Sequence, residues 1–184
     1  MITTHRIAVL VATLTFVGLI ALGARVDVAV PGSPVPQSLQ TLAVLAAGLA
    51  LGPRWGLAAG LLYLAAGALG LPVFAGGASG LPALTGPTAG YLIGFPLAAL
   101  LVGAGSGPPS SGPVWRAMVV ALGLALAGHL LILALGWAGL SLRIGASGAL
   151  LAGVTPFLWG MAVKSAALAL IAPLLTRLRD RLNI

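Results

Sequence analysis

The sequence contains no cysteine, no glutamate and only one lysine, and these absences exclude several kinds of chemistry. Without cysteine there are no disulfide bonds, no thiolate metal ligands and no thiol nucleophiles. The only carboxylate side chains belong to Asp27, between two apolar runs, and Asp180, among the last arginines. Neither aspartate lies inside an apolar run, so a carrier coupled to protons through an intramembrane carboxylate is disfavoured.

Histidine is also scarce, with His5 near the start of the chain and His129 in the stretch LAGHLLIL. His129 has no assignable carboxylate or paired nucleophile, which disfavours a membrane-embedded hydrolase. We expect it to be a neutral core histidine bonded to the backbone or to Ser/Thr. A phosphate-binding loop of the Walker type is absent from the sequence. The sequence therefore predicts a binding protein with no catalytic residues, no metal site and no cofactor.

The residues that are abundant are apolar. Hydrophobic residues make up 60% of the chain, charged residues make up 6%, and the mean hydropathy is +1.15, all outside the range of soluble domains. No polar block is long enough to fold separately, so residues 1–184 are predicted to form one integral membrane domain. The net charge of +7 comes from cations scattered singly beside apolar runs, which indicates membrane topology signals rather than nucleic-acid binding.

Six apolar runs, separated by glycine and proline clusters, predict an all-α bundle of six transmembrane helices. The runs are 7–22, 39–51, 55–69, 91–102, 114–137 and 155–175. An even number places both termini on one side of the membrane. The arginines on that side are Arg6, Arg54, Arg116, Arg177, Arg179 and Arg181, against Arg25 and Arg143 on the other. The positive-inside rule then predicts that both termini are cytoplasmic.

The second and third predicted helices are shorter than the roughly 20 residues needed to cross the hydrocarbon core. The outward loops beside them, residues 26–40 and 70–90, are rich in proline and glycine, and the second loop carries no charge. Irregular backbone at membrane depth is tolerated when it is buried in protein or lines a cavity. We therefore expect these loops to cap an outward-facing ligand cavity. The alternative is that they are tight packing turns without a ligand.

Lys164 lies in the apolar run FLWGMAVKSAALALI. Thr155 and Pro156 are predicted to start the last helix, as its cap and its first residue. At 1.5 Å per residue, the lysine then lies roughly 13 Å below the helix start. An ammonium at that depth needs a partner, and the candidates are Asp27 from the first loop, backbone carbonyls with water, or a bound ligand. A purely structural lysine is the alternative.

Several stretches of the sequence resemble a known family. They are VPQSLQT before the second predicted helix, LGP between the second and third, GLPVFAGG after the third, GPTAGYLIGF at the start of the fourth, and PFLWGMAVK in the sixth. Together they resemble the BioY family, the biotin-specific substrate-binding subunits of energy-coupling-factor transporters.

The resemblance implies a multi-pass subunit of the bacterial plasma membrane that captures biotin on the outer face. It also implies a transmembrane coupling protein and two ATPase subunits as partners, although a biotin carrier that works without the ATPases stays open. Ala8 and Ala12 on the first helix resemble the alanine pair with which such subunits contact the coupling protein. A subunit of the same architecture for another small molecule is the closest alternative.

The resemblance and the residue chemistry together predict the lining of the biotin site. Gln37, Ser38 and Gln40 offer polar contacts, Phe74 and Tyr91 offer flat apolar faces, and Lys164 is the expected polar anchor. Gly76, Gly77 and Gly86 allow close approach of the backbone. Trp159 is expected either to cover the mouth of the site or to anchor the helix at the membrane interface. The sequence departs from the family pattern at Met161, where an aspartate is typical, and at Gly76 and Gly77, near which an asparagine is common.

Overall fold

The computed structural model of the chain describes residues 2–107 and 113–184, with side chains from His5 onward. The helices are α1 (Ile2–Gly23), α2 (Gln40–Ala68), α3 (Gly80–Leu84), α4 (Ala89–Gly105), α5 (Val114–Gly153) and α6 (Phe157–Leu182). A two-stranded antiparallel sheet pairs β1 (Asp27–Val28) with β2 (Gln37–Ser38). In this part of the chain, α1, α2, α5 and α6 are long and apolar enough to cross a membrane, and α4 is a shorter apolar helix. The predominantly helical membrane fold is thus confirmed.

Helix α2 is a hairpin of two helical segments. Gly52, which precedes Pro53, has φ 71° and ψ −176°, a conformation that breaks the helix. A Cβ atom on Gly56 would lie 2.8 Å from the Cα atom of Gly48. In an unbroken helix these residues would be about 12 Å apart, so the chain reverses at Gly52. The break that the sequence predicts between its second and third helices is therefore present.

Helix α5 differs from the prediction, which ended the fifth helix at residue 137. The helix continues to Gly153, with a break at Gly145, where φ is 77° and ψ is 159°. A Cβ atom on Gly153 would lie 2.8 Å from Leu140, so the segment after the break folds back on the segment before it. Small and polar residues, including Arg143, interrupt the apolar run here, and for that reason hydropathy alone ended the helix too early.

The predicted start of the last helix is also corrected. Pro156, not Thr155, occupies the N-cap position of α6, and no side chain caps the helix. The Thr155 hydroxyl instead donates a hydrogen bond to the carbonyl of Leu150, at 3.1 Å. Thr155 therefore closes the turn that ends α5, because a carbonyl at the end of that helix lies within its reach.

Close contacts through glycine hold α4 in the centre of the bundle. A Cβ atom on Gly60 would lie 2.7 Å from the Cα atom of Pro96, and one on Gly103 would lie 2.5 Å from the carbonyl carbon of Gly52. On the opposite side, a Cβ atom on Gly94 would lie 3.1 Å from the Cα atom of Ile132 in α5. Small residues let the helix backbones approach this closely, as is common in membrane bundles.

The first loop, residues 26–40, is a β-hairpin that is hydrogen-bonded to the second loop. Residue Asp27 pairs with Ser38 across the short sheet. The Arg25 guanidinium donates to the carbonyl of Pro72 at 2.7 Å, and the backbone N–H of Gly76 donates to Asp27 Oδ2 at 3.1 Å. We call the end of the bundle that carries both loops the cavity end.

The opposite end, which we call the arginine end, is organised around Arg179. Its guanidinium donates to the carbonyls of Ile184, at 3.0 Å, and Gly103, at 3.5 Å, and to the hydroxyl of Ser106. It also packs against Gly52 in the turn of the α2 hairpin. These contacts join α6 to the end of α4 and to the α2 turn, so the helix ends meet at one side chain.

Candidate functional site

A cavity of about 480 Å³ lies between the two loops and the helices of the cavity end. This volume falls in the range of small-molecule sites. Its apolar walls include Phe74, Tyr91, Phe95, Ile132, Leu133 and Phe157. The first loop contributes Pro34, Val35 and Pro36, and the second contributes Ala75, Ala78, Ser79 and Gly86. The two loops therefore enclose the cavity, as the sequence predicts.

Aromatic rings support the cavity wall on two sides. Tyr63 meets Phe74 edge to face, with ring centroids 5.4 Å apart, and stacks on Phe95 at 6.1 Å. Tyr91 lies 6.3 Å from Phe157, and its hydroxyl donates to the carbonyl of Gly153 at 2.7 Å. Because that hydroxyl is already engaged at the end of α5, Tyr91 presents mainly its flat apolar face to the cavity.

Lys164 reaches the cavity from α6. Its ammonium donates to the backbone carbonyl of Ser38, at 3.1 Å, and borders the open space. A backbone carbonyl is thus the partner observed among the predicted candidates. Asp27 is not that partner, because it binds the backbone of Gly76. The bond to Ser38 uses one of the three N–H donors of the ammonium.

Gln40 forms part of a hydrogen-bonded chain that connects the two loops. The Ser38 hydroxyl donates to Gln40 Oε1 at 3.0 Å, and Gln40 Nε2 donates to the hydroxyl of Tyr63. Tyr63 in turn donates to the carbonyl of Val73 at 3.1 Å. Gln40 is 4% exposed, so its main contacts are internal even though it borders the cavity. The sequence analysis does not single out Tyr63, although a tyrosine hydroxyl inside an apolar run indicates a buried hydrogen-bond partner.

His129 lies in the core, hydrogen-bonded to backbone and hydroxyl groups, as expected. Its Nδ1 is 2.9 Å from the carbonyl oxygen of Ala125 and 3.0 Å from Ser165 Oγ, and its Nε2 is 3.1 Å from Thr41 Oγ1. The ring is 3% exposed, yet both His129 and Thr41 border the cavity. No sequence pattern places either residue in the site. Thr41 does, however, directly follow the polar stretch Gln37–Gln40.

The remaining predicted site residues divide into two groups. Met161 and Gly86 border the cavity, as do Ser38, Gln40, Phe74, Tyr91 and Lys164. Gln37 lies instead against Gly160 on α6. Gly76 and Gly77, with φ of 66° and 75°, shape the turn of the second loop while their neighbours Ala75, Ala78 and Ser79 form the wall. Gly76 and Gly77 do not themselves border the cavity, and their close approach to a ligand stays a prediction.

Trp159 is 79% exposed and does not border the cavity, so a position over its mouth stays a prediction. An interfacial anchor fits its position on the surface of α6. On α1, Ala8 is exposed and Ala12 is partly buried against the core. Their role as a partner contact stays a prediction.

The electrostatics of the cavity are simple. The residues that border it include the ammonium of Lys164 and no carboxylate. No group of three or more metal-ligating side chains occurs within residues 2–107 and 113–184. The arrangement suits a small molecule with an apolar body and a polar group that accepts hydrogen bonds from the lysine.

Comparisons with known proteins find matches over most of the chain. The model of the family described as the BioY family matches residues 1–181. The chain is 39% identical to a probable biotin transporter BioY of Pyrococcus horikoshii, covering 85% of this chain and 89% of the relative. It is 36% identical to the biotin transporter BioY of Thermotoga maritima, covering 89% and 92%.

A solved structure shares the fold. It is described as the crystal structure at 2.1 Å of the S-component for biotin from an ECF-type ABC transporter. The TM-score is 0.82, the sequence identity is 24%, and the match covers 98% of this chain and 95% of the other.

Proposed function

The chain belongs to the BioY family, and from this premise we propose that it captures biotin as the substrate-binding subunit of an energy-coupling-factor transporter. It is a transport protein rather than an enzyme. The observation that carries the proposal is the cavity itself, with apolar and aromatic walls around one ammonium. Biotin has an apolar ring and chain between a ureido group and a carboxylate, and this composition matches such a site.

Lys164 is the polar anchor of biotin in this proposal. The ammonium borders the cavity and has donors beyond its bond to Ser38, and biotin supplies acceptors at the ureido oxygen and the carboxylate. Loss of a charge-assisted hydrogen bond costs about 1.5 to 3 kcal/mol, or roughly ten- to a hundredfold in affinity. Lys164→Met is expected to weaken biotin binding by that factor in a titration of purified protein.

Val163→Met is the matched control, because Val163 is the exposed neighbour of the lysine on α6. We expect this variant to bind biotin like the parent. Unchanged binding by Lys164→Met would make the lysine structural. Biotin methyl ester separates the two ends of the ligand, since it binds normally if Lys164 contacts the ureido oxygen and poorly if it contacts the carboxylate.

We also propose six membrane-spanning segments, with both termini on the cytoplasmic side of a bacterial plasma membrane and the cavity end outside. Contacts of Arg25 and Arg143 with the second loop, and of Arg179 with the opposite end, support this division of the cations. A cysteine replacing Ser79, which borders the cavity, should react with an impermeant thiol reagent from outside, and biotin should protect it. A cysteine replacing Asn183 should react only from inside. The reverse labelling pattern would overturn the topology.

A coupling protein and two ATPase subunits are the proposed partners, with Ala8 and Ala12 on α1 as contacts. The exposure of Ala8 on a helix that faces outward from the bundle supports a contact there. Biotin uptake by cells that produce this chain alone, compared with cells that also produce the partner subunits, tests the partnership. Equal uptake in both would favour a stand-alone carrier.

A subunit for another small molecule is the second candidate, and Met161 is the observation that favours it. Met161 borders the cavity where an aspartate is typical of the family, so one strong acceptor is missing. Mass spectrometry of ligand that copurifies with the protein distinguishes the candidates. A ligand other than biotin, together with no detectable binding of added biotin, would replace the first proposal with the second.

A further inference from the structure

Three side chains from three helices form a polar patch on the cavity: Thr41 of α2, His129 of α5 and Lys164 of α6. Lys164 donates to the carbonyl of Ser38, three residues before Thr41. Ser165, the residue after the lysine, is fully buried against His129, with 3.0 Å between Oγ and Nδ1. The hydroxyl of Thr41 and the ammonium of Lys164 are therefore brought to the same side of the cavity.

The hydrogen-bond partners of His129 determine the direction of the bond to Thr41. Nδ1 lies 2.9 Å from the carbonyl oxygen of Ala125, which can only accept, and 3.0 Å from Ser165 Oγ, which can accept as well as donate. An unprotonated Nδ1 would place its lone pair against the Ala125 carbonyl, so Nδ1 carries the proton. In the neutral ring, Nε2 is then an acceptor. The Thr41 hydroxyl, 3.1 Å from Nε2, must donate to it. With its proton engaged in this way, the Thr41 oxygen can offer only lone pairs to the cavity.

We propose that the Thr41 oxygen accepts an N–H group of the ureido ring of biotin, and that His129 is the positioning residue that fixes this oxygen as an acceptor. The inference rests on the proposed function of the cavity as a biotin site. It assigns to Thr41 part of the role that a carboxylate at position 161 would otherwise have. Met161 has only a thioether, which is a weak acceptor.

The pairing of donor and acceptor also selects the end of biotin that occupies this patch. A ureido group has a carbonyl oxygen that accepts from Lys164 and N–H groups that donate to Thr41. A carboxylate has acceptors only, so it would place lone pairs against the Thr41 oxygen while that oxygen is bound to His129. The ureido ring therefore lies at the polar patch, and the carboxylate end points away from it.

The first test compares Thr41→Val, which keeps the shape but removes the oxygen, with Thr41→Ser, which keeps the hydroxyl. Each variant and the parent are titrated with biotin and with the two biotins methylated on a single ureido nitrogen. Loss of a neutral hydrogen bond should weaken biotin binding by about three- to tenfold in Thr41→Val, with recovery in Thr41→Ser. The preference of the parent for biotin over one of the methylated isomers should fall by a similar factor in Thr41→Val.

This preference is the decisive quantity. A purely structural loss would weaken the binding of all three ligands equally, and the ratios of their affinities would stay unchanged. Unchanged ratios in Thr41→Val, or unchanged biotin affinity, would overturn the role of Thr41. A parent that binds no biotin at all would overturn the proposed function and this inference together. A parent that binds biotin while Thr41→Val keeps the full preference overturns the inference alone.

The second test addresses His129. If it acts through Thr41, His129→Leu should lower the preference about as much as Thr41→Val does. The double variant should then lower it no further than either single change, because both remove the same interaction. Additive losses in the double variant would show that His129 acts independently and would overturn its positioning role. Should His129→Leu fail to fold, His129→Phe, which also has no acceptor, replaces it, and the same comparison of ratios applies.

Discussion

The cavity end and the arginine end of the bundle use glycine in opposite ways. At the cavity end, glycines with positive φ, such as Gly76 and Gly77, shape a loop that arches over open space. Towards the arginine end, Gly48, Gly56 and Gly103 remove side chains so that helix backbones touch. Glycine therefore shapes the loop over the cavity in one region and allows close helix packing in the other. We expect changes at the arginine end to alter stability, and changes at the cavity end to alter binding.

The largest effect is expected at the arginine end. In Gly103→Ala, the new Cβ atom would lie 2.5 Å from the backbone of Gly52 and Pro53, which cannot move as a flexible side chain would. Overpacking of this kind costs about 1 to 3 kcal/mol, and we expect the upper part of that range in the free energy of unfolding. Thermal unfolding in detergent measures it. Gly123→Ala is the control, since a Cβ atom there meets nothing within 4 Å.

If the two ends are independent, the fraction of Gly103→Ala that folds should bind biotin with parental affinity. A large loss of affinity in that folded fraction would show that packing at the arginine end determines the shape of the cavity. The two ends of the bundle would then be coupled rather than independent.

The next effect tests the connection between the two loops. Tyr63→Phe removes the hydroxyl that accepts from Gln40 and donates to Val73, and leaves the buried Gln40 and the partly buried Val73 carbonyl without it. We expect a loss of about 1 to 2 kcal/mol. It should appear as weaker biotin binding and as faster proteolysis of residues 70–88. Tyr91→Phe is the control for proteolysis, because it loses a single hydroxyl bond, to Gly153 of α5, and connects no loops. Equal proteolysis in both variants would contradict a connecting role for Tyr63.

The smallest effect concerns the first loop as a lid over the cavity, a role we predict for residues 26–40. The prolines of this loop limit its ordering cost, and Asp27 binds it to the second loop through the N–H of Gly76. In Asp27→Ala, a cysteine placed at Ser33 should react faster with a thiol reagent by a factor of about two to five, because a partly exposed contact contributes 1 kcal/mol or less. Addition of biotin should slow the reaction in the parent. No change with saturating biotin would make the loop a fixed cap.

Much of the architecture could be predicted because it depends on hydropathy and on backbone chemistry. The break at Gly52 follows from the Gly-Pro pair, and the enclosed cavity follows from loops too apolar and too rich in glycine for water. Lys164 could be identified because a charge inside an apolar run needs an explanation. These features depend on the sequence within a few turns of each residue.

The features that sequence reasoning missed depend on contacts between distant segments of the chain. Helix α5 continues past the predicted end at residue 137 because Gly153 and Leu140 pack across the break at Gly145. Trp159 faces away from the cavity because the orientation of α6 is set by Ser165 and Lys164, which point inward. Thr41 and His129 meet across 88 residues of sequence, and no local pattern reveals their bond.

The hairpin form of α2 also affects the surrounding bilayer. Its two segments, 40–51 and 53–68, are about 18 and 24 Å long, whereas α6, with 26 residues, is about 39 Å long and the hydrocarbon core is about 30 Å thick. Exposed Leu61 and Leu62 show that the second segment reaches the surface of the bundle. The bilayer beside this flank must become thinner to match the segment, and this costs less than about 1 kcal/mol for each Å of mismatch. We therefore expect the bilayer to be thinner beside this flank, and lipids with shorter acyl chains to gather there.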